Sequence, residues 1–211
     1  MRVSLATAVL AVLAAPVATA QDEYPVYVYP CPKAETAPTI DGVPEEAAWN
    51  DAPLVSGFTF YNKPEELAPV QTSLRVLYDE RRVYFGVVCE EPLADDLAPV
   101  RTARDDGHVF RQEAVEFFVD PGHDHTQYHQ FAVSAAGSLY DSRRADKSWN
   151  SDAETAARIG EGQWSLELAI LWADFGVTPQ PGMVIGFNVC RDREVGRSRQ
   201  WTNWSQTKSN F

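Results

Sequence analysis

Residues 112–137, QEAVEFFVDPGHDHTQYHQFAVSAAG, limit the fold more than any other stretch. Val115, Phe117 and Val119 alternate with Glu116, Phe118 and Asp120. That two-residue repeat is the pattern of a β-strand with one face buried. Asp120-Pro121-Gly122 ends the run, because proline lacks the ladder donor and glycine supplies turn geometry. A second alternating run, residues 128–133, sets His129, Phe131 and Val133 against Tyr128, Gln130 and Ala132, and Ala136-Gly137 closes it. Two strands joined by a polar, His-rich loop are expected. Their carboxylate-bearing face is the place to search for function.

The same repeat recurs along the chain. Residues 72–78 and 83–89 alternate on either side of Asp79-Glu80-Arg81-Arg82 and predict a hairpin. Residues 54–61 read as a strand and 64–69 as a loop. Residues 139–144 and 154–159 read as weaker strands around a polar segment carrying Trp149, which is expected to pack locally. Trp164, Leu166, Leu168 and Ile170 share one face of a strong strand. Residues 172–176 form a helical turn with a glycine stop. Strands at 184–191 and 200–204 follow. Near the start, Asp41-Gly42 turns and Pro44 opens a short helix that points Ala48 and Trp49 at the core. Short strands with Gly/Pro turns and only one or two helical turns predict an all-β, antiparallel β-sandwich of jelly-roll type. The long polar loop at 93–112 is expected to be functional or disordered.

Residues 1–20 have the form of a signal peptide, with Arg2, an apolar run and Ala18-Thr19-Ala20. Export to the periplasm or the exterior is expected, with no membrane insertion because the run is short. Residues 21–36, with alternating Tyr and Pro, read as an extended lead-in to a domain at 37–211. The formal charge is −12, and removing the one charge of Arg2 with the leader leaves −13. A chain this acidic repels nucleic acid and anionic membrane surfaces. Export permits disulfides, and the odd set Cys31, Cys89 and Cys190 leaves a thiol over. Cys89 and Cys190 sit in apolar runs, as neighbours, a bonded pair or free buried thiols.

Five blocks in order carry a resemblance: TIDGVPEEAAW, LRVLYDERRVYFGV, QEAVEFFVDP, WSLELAILW and IGFNVCR. Together the blocks make residues 39–191 similar to carbohydrate-binding module family 9, within the DOMON-like sandwiches. The resemblance implies an exported, non-catalytic module in which two aromatic rings hold a terminal sugar while polar side chains bond its hydroxyls. Phe110 matches the first ring and Glu116 the acidic ligand binder. The second ring falls near Phe211, with an amide near Asn210. Gln130, Asn188 and Trp204 are the supporting candidates, Trp204 as an alternative platform. The family's arginine falls on Ala132 and its glutamine on Cys190, which bond no hydroxyl; Arg191 is the basic residue nearest to making good the loss. The family pattern carries one further strand, so a C-terminal truncation is expected.

Competing chemistries have less behind them. His123, Asp124, His125 and His129 suggest a metal loop, and Asp95, Asp96, Asp105 and Asp106 an oxygen-rich calcium site. The first set reads as solvated, and structural calcium is what the resemblance implies; no other cofactor is expected. Haem would need an axial Met/His pair, and Met183 beside a turn does not supply it. Glu113 and Glu116 are three apart in a strand, hence on opposite faces, and do not form the carboxylate pair of a glycosidase. Two further readings stay open. One is a structural or protein-interaction sandwich with a decayed sugar site. The other is the binding part of a secreted polysaccharide-degrading enzyme of glycoside hydrolase or xylanase type, with a catalytic partner.

Overall fold

The computed structural model describes residues 27–144, 146–196 and 199–207. The expected leader at 1–20 and residues 21–26 of the lead-in lie outside them. The strands are β1 (Thr59–Phe60), β2 (Lys63–Leu67), β3 (Thr72–Tyr78), β4 (Arg82–Glu90), β5 (Ala114–Asp120), β6 (His129–Ser134), β7 (Leu139–Arg143), β8 (Glu154–Gly160), β9 (Gln163–Leu171), β10 (Gly186–Arg193) and β11 (Gln200–Asn203). One sheet runs β2-β1-β11-β10-β5-β6-β7 and the other β3-β4-β9-β8. Every pairing between these strands is antiparallel. The helical content among the described residues is four short 3-10 turns.

Alternation decides what is buried between the sheets. Val115, Phe117 and Val119 of β5, with Phe131 and Val133 of β6, meet Val83, Phe85 and Val87 of β4 and Trp164, Leu166, Leu168 and Ile170 of β9. Phe85 and Phe117 pack across the sheets with centroids 5.2 Å apart. Such fully buried side chains each contribute about 1.5–3 kcal/mol.

The outer face of the smaller sheet is closed by the chain's own N-terminal segment. Trp49 lies over Leu77, Tyr84 and Ala169 in a second apolar cluster. Its indole Nε1 donates to Glu167 at 3.0 Å, and the Asp41 and Gly42 amides donate to the same carboxylate at 2.9 and 3.0 Å. A carboxylate with no exposure is tolerable there because three donors surround it. Burial still pushes Glu167 above the usual carboxylate range, against those bonds. With this face packed under Trp49, the outer face of the larger sheet is the one left to hold polar side chains.

Two expectations are corrected. Residues 64–69 read as a loop, yet Lys63–Leu67 is a strand, fully exposed on the sheet edge. Pro64 and the charges Lys63, Glu65 and Glu66 hide it from a hydrophobic pattern and suit an edge that must not pair further. The strand at 54–61 shrinks to β1 plus a single bridge from Val55 to Leu74. Cys89 and Cys190 are not bonded: each is a buried free thiol, and Cys31 is an exposed one.

Gly86 on β4 lies under the Trp49 segment. A Cβ there would sit 2.6 Å from Pro44 Cβ and 3.1 and 3.2 Å from the Trp49 ring. Gly86→Ala should therefore destabilise the protein by about 1–3 kcal/mol, the usual penalty of overpacking. A urea unfolding curve with an unchanged slope and a lower midpoint is the expected reading.

Candidate functional site

Register lays out the outer face of the larger sheet. One row crosses five strands: Tyr140 on β7, Ala132 on β6, Glu116 on β5, Cys190 on β10 and Asn203 on β11. On one flank lie Gln130, Phe118 and Asn188, and on the other Ala114, Asp192 and Trp201. Neighbouring strands stand about 4.8 Å apart, so Tyr140 to Glu116 is about 10 Å.

A 3-10 turn, Gly107–Arg111, brings Phe110 to this face. Asp106 caps the turn by accepting from the His108 amide at 2.9 Å. Phe110 meets Tyr140 edge-on at 4.9 Å and packs with Val109, Ala132 and Tyr140. Ala132 therefore links the two leading candidates: it touches the Phe110 cluster and is the cross-strand partner of Glu116. Phe110 and Glu116 share one face.

Glu116 points away from the core, and its residue is only 4% exposed. Gln130 Nε2 donates to its Oε2 at 2.6 Å. Burial raises its carboxyl above the usual range, against the bonds from Gln130 and Asp192. Asp192 is 2% exposed, and burial together with the charge of Glu116 pushes it up to about 9. Cys190, between them, is pushed well above the usual thiol value by burial and by both carboxyls.

The other candidates fall elsewhere. Asn188 is spent in a clasp: its Nδ2 donates to Ser205 O at 2.8 Å, while its Oδ1 accepts from the Val189 and Ser205 amides. Trp204, expected as an alternative platform, is a core residue instead. It is 8% exposed and stacks on Phe187 at 4.9 Å and 25°. Trp201 and Trp204, three apart, lie on opposite faces, and the outward one is Trp201, 44% exposed with the Arg199 guanidinium 5.5 Å from its ring. Asn210 and Phe211 lie outside the described residues.

Arg191 does not replace the missing basic donor. It faces inward, 1% exposed, and its Nη2 donates to Glu91 at 3.1 Å and to Glu113 at 3.2 Å. Arg193 grips Glu91 with two bonds of 2.7 Å. Glu113 also accepts from Trp164 Nε1 and from the amides of Glu194 and Val195. This buried network ties β9 and β10 to the segment that leads into β11. Glu113 and Glu116 are thus on opposite faces, as their spacing predicts.

The imidazoles do not converge. His129 is buried between Trp149, at 4.7 Å, and Phe175, at 5.0 Å, whereas His123 and His125 are exposed. Its inward parity with Phe131 and Val133 overrides the loop reading. Trp149 packs against the core, as expected. Among the described residues no three His, Cys, Asp or Glu side chains are grouped to hold a metal ion. A cavity of about 240 Å³ is lined by Arg101, Thr102, Arg104, Ser138, Leu139 and Thr155. It opens between β7 and β8, on the sandwich flank and not over Glu116.

Asp192 and Asn203 escaped the sequence reading. Parity could have found Asp192, since it shares the face of Asn188 and Cys190 on β10. Asn203 has no exposure, and its Oδ1 accepts from Gln206 Nε2 at 3.0 Å.

Fold and face together define a β-sandwich binding module with an acid and an aromatic ring on one sheet. The chain belongs to the carbohydrate family 9 binding domain-like family, whose model matches residues 40–211. An endo-1,4-beta-xylanase A of Thermotoga neapolitana is 25% identical over 188 residues, which cover 81% of this chain and 17% of that protein. That of Thermotoga maritima is 27% identical over 141 residues, covering 65% and 12%. The chain therefore spans less than a fifth of these relatives. A family 9 module from Caldicellulosiruptor kristjanssonii, solved with cellotriose, has the same fold: TM-score 0.60 and 15% identity, over 83% of this chain and 87% of that one. Its complex with glucose gives a TM-score of 0.61 at 15% identity, over 83% and 89%.

The buried network sets a stability expectation. Glu113→Ala leaves Arg191 with half its counter-charge and strips two amides of their acceptor. Breaking a buried pair on one side costs about 3–5 kcal/mol. Denaturant unfolding of Glu113→Ala should show a loss of that order.

Proposed function

We propose that this protein is an exported, non-catalytic carbohydrate-binding domain that takes a saccharide on the outer face of its larger sheet. The meeting of Phe110 and Glu116 on that face, bridged by Ala132, carries the reading. A pyranose presents C–H groups that pack on an aromatic ring and hydroxyls that need fixed acceptors. Gln130 and Asp192 occupy part of the acceptor capacity of Glu116. A carboxylate has about four lone-pair sites, which leaves room for guest hydroxyls. Trp201, exposed on the same face, is the second ring this chain offers in place of Trp204.

Catalysis on this face is disfavoured because Glu116 and Asp192 are buried against each other, at 4% and 2% exposure, with no space for a scissile bond between them. The xylanase relatives support a role beside a catalytic partner acting on polysaccharide, with this chain supplying attachment. One observation favours the decayed-site reading: Ala132 and Cys190, where the family has donors, have no exposure.

Isothermal titration with cellotriose and xylotriose decides between them. Phe110→Ala and Glu116→Ala should each weaken binding by about tenfold or more, about 1.4 kcal/mol, with folding intact by circular dichroism. A wild-type chain that retains neither sugar favours the structural sandwich.

A further inference from the structure

Asp192 is the second carboxyl group on the face that carries Glu116. It lies on β10 two residues beyond Cys190, the cross-strand partner of Glu116, so the two acids are diagonal neighbours. Their carboxyl groups lie against each other across that diagonal. Both are all but shut off from water, at 4% and 2% exposure. Among the described residues neither acid forms an ion pair. Two like charges shut together from water do not both ionise, so the pair holds a proton on one of them.

The surroundings decide which acid holds it. Strand β6 presents Gln130 and Ala132, and β11 presents Trp201 and Asn203, none of them charged. On β5 the outward neighbours are Ala114 and Phe118, with Asp120 at the far end. The Phe110 turn carries Arg111, exposed, and His108, paired to Asp106. Beyond β10, Glu194 adds negative charge near Asp192, and among the described residues the cation on that side, Arg199, is paired to Glu194. Cys190 between the acids is a neutral buried thiol. The amide of Gln130 donates to Glu116 and favours its ionised form, while the charges of Glu116 and Glu194 at Asp192 outweigh the opposing pull of Arg199.

From this geometry we infer that Asp192 is a positioning residue of the saccharide site, a neutral carboxylic acid whose hydroxyl donates to the Glu116 carboxylate and fixes which of its lone pairs meet the guest. The inference rests on the carbohydrate reading and narrows it. The ionised group at the site is then a single negative charge, which suits an uncharged, hydroxyl-rich sugar and repels a uronate. Losing the Asp192 proton, near about 9, places a second negative charge against the first. The folded carboxyl lies above its unfolded value, so its contribution to stability is full below the ordinary carboxylate range. That contribution is lost as pH rises to about 9.

Asp192→Asn keeps a donor and removes the titration; Asp192→Ala removes both. Wild-type affinity for cellotriose should fall about tenfold or more between pH 7 and pH 10, while Asp192→Asn holds within about twofold. Asp192→Ala should be weak throughout. Without ligand, the wild-type unfolding midpoint should decline from about pH 5 to pH 9, and the Asn variant should lose most of that slope. Carbon NMR of the wild-type Asp192 carboxyl needs no variant. Titration near 9 supports the inference, and titration near the ordinary value of about 4 overturns it. An Asp192→Ala variant that binds as the wild type does overturns the positioning role. A wild type that binds neither cellotriose nor glucuronate-free xylotriose, yet keeps the midpoint slope, overturns the carbohydrate reading and leaves the shared proton standing.

Discussion

The register of β10 against β5 is the constraint on which this molecule depends. Cys190 faces Glu116 and Arg191 faces Val115, so side chains one residue apart serve opposite purposes. Arg191 turns inward to Glu91 and Glu113, while Cys190 and Asp192 turn outward beside Glu116. A slip of one residue would exchange the two sets. It would set Asp192 against the apolar core and leave Glu91 and Glu113 buried without their guanidinium, which is far costlier than any surface rearrangement. The network thus guards the register, and the register builds the site. Stability and binding chemistry are coupled through adjacent residues of one strand.

The asymmetry of the two sheets follows from the N-terminal segment. Trp49 and the amides of Asp41 and Gly42 converge on Glu167, and Gly86 leaves space for the indole to lie close on β4. That covering consumes the outer face of the smaller sheet. The larger sheet is left to carry Phe110, Glu116, Gln130 and Trp201, with the 93–112 connection folding Phe110 onto its β6–β7 end. The proposed site lies on the larger sheet because the outer face of the smaller one is taken up by the Trp49 segment.

Much of this was legible in the chain because period-2 patterns are local. The hairpin of β3 and β4, the strong strand β9 and the outward aim of Glu116 with the inward aim of Glu113 all follow from alternation. What alternation lacks is an absolute sign. It separates Trp201 from Trp204 without saying which one meets Phe187, and only the packed structure decides. Strand β2 was hidden because an exposed edge has no apolar face to show. Asp192 was overlooked because an acid in the run Arg191-Asp192-Arg193 looks like a solvated charge; its burial comes from β5 and β11 on either side. His129 shows the reverse case, in which a strand position among Phe131 and Val133 told more than its kinship with the loop histidines.

The proposed site is an outward acid held by a neutral acid and an amide, with an aromatic ring beside it. Backbone and side-chain NMR shifts recorded while cellotriose is added test this most directly. The largest changes should fall on Phe110, Glu116, Gln130, Asp192 and Trp201. Changes centred on β3 and β8, or on Arg101 and Thr102 at the flank cavity, with that face unmoved, would contradict it.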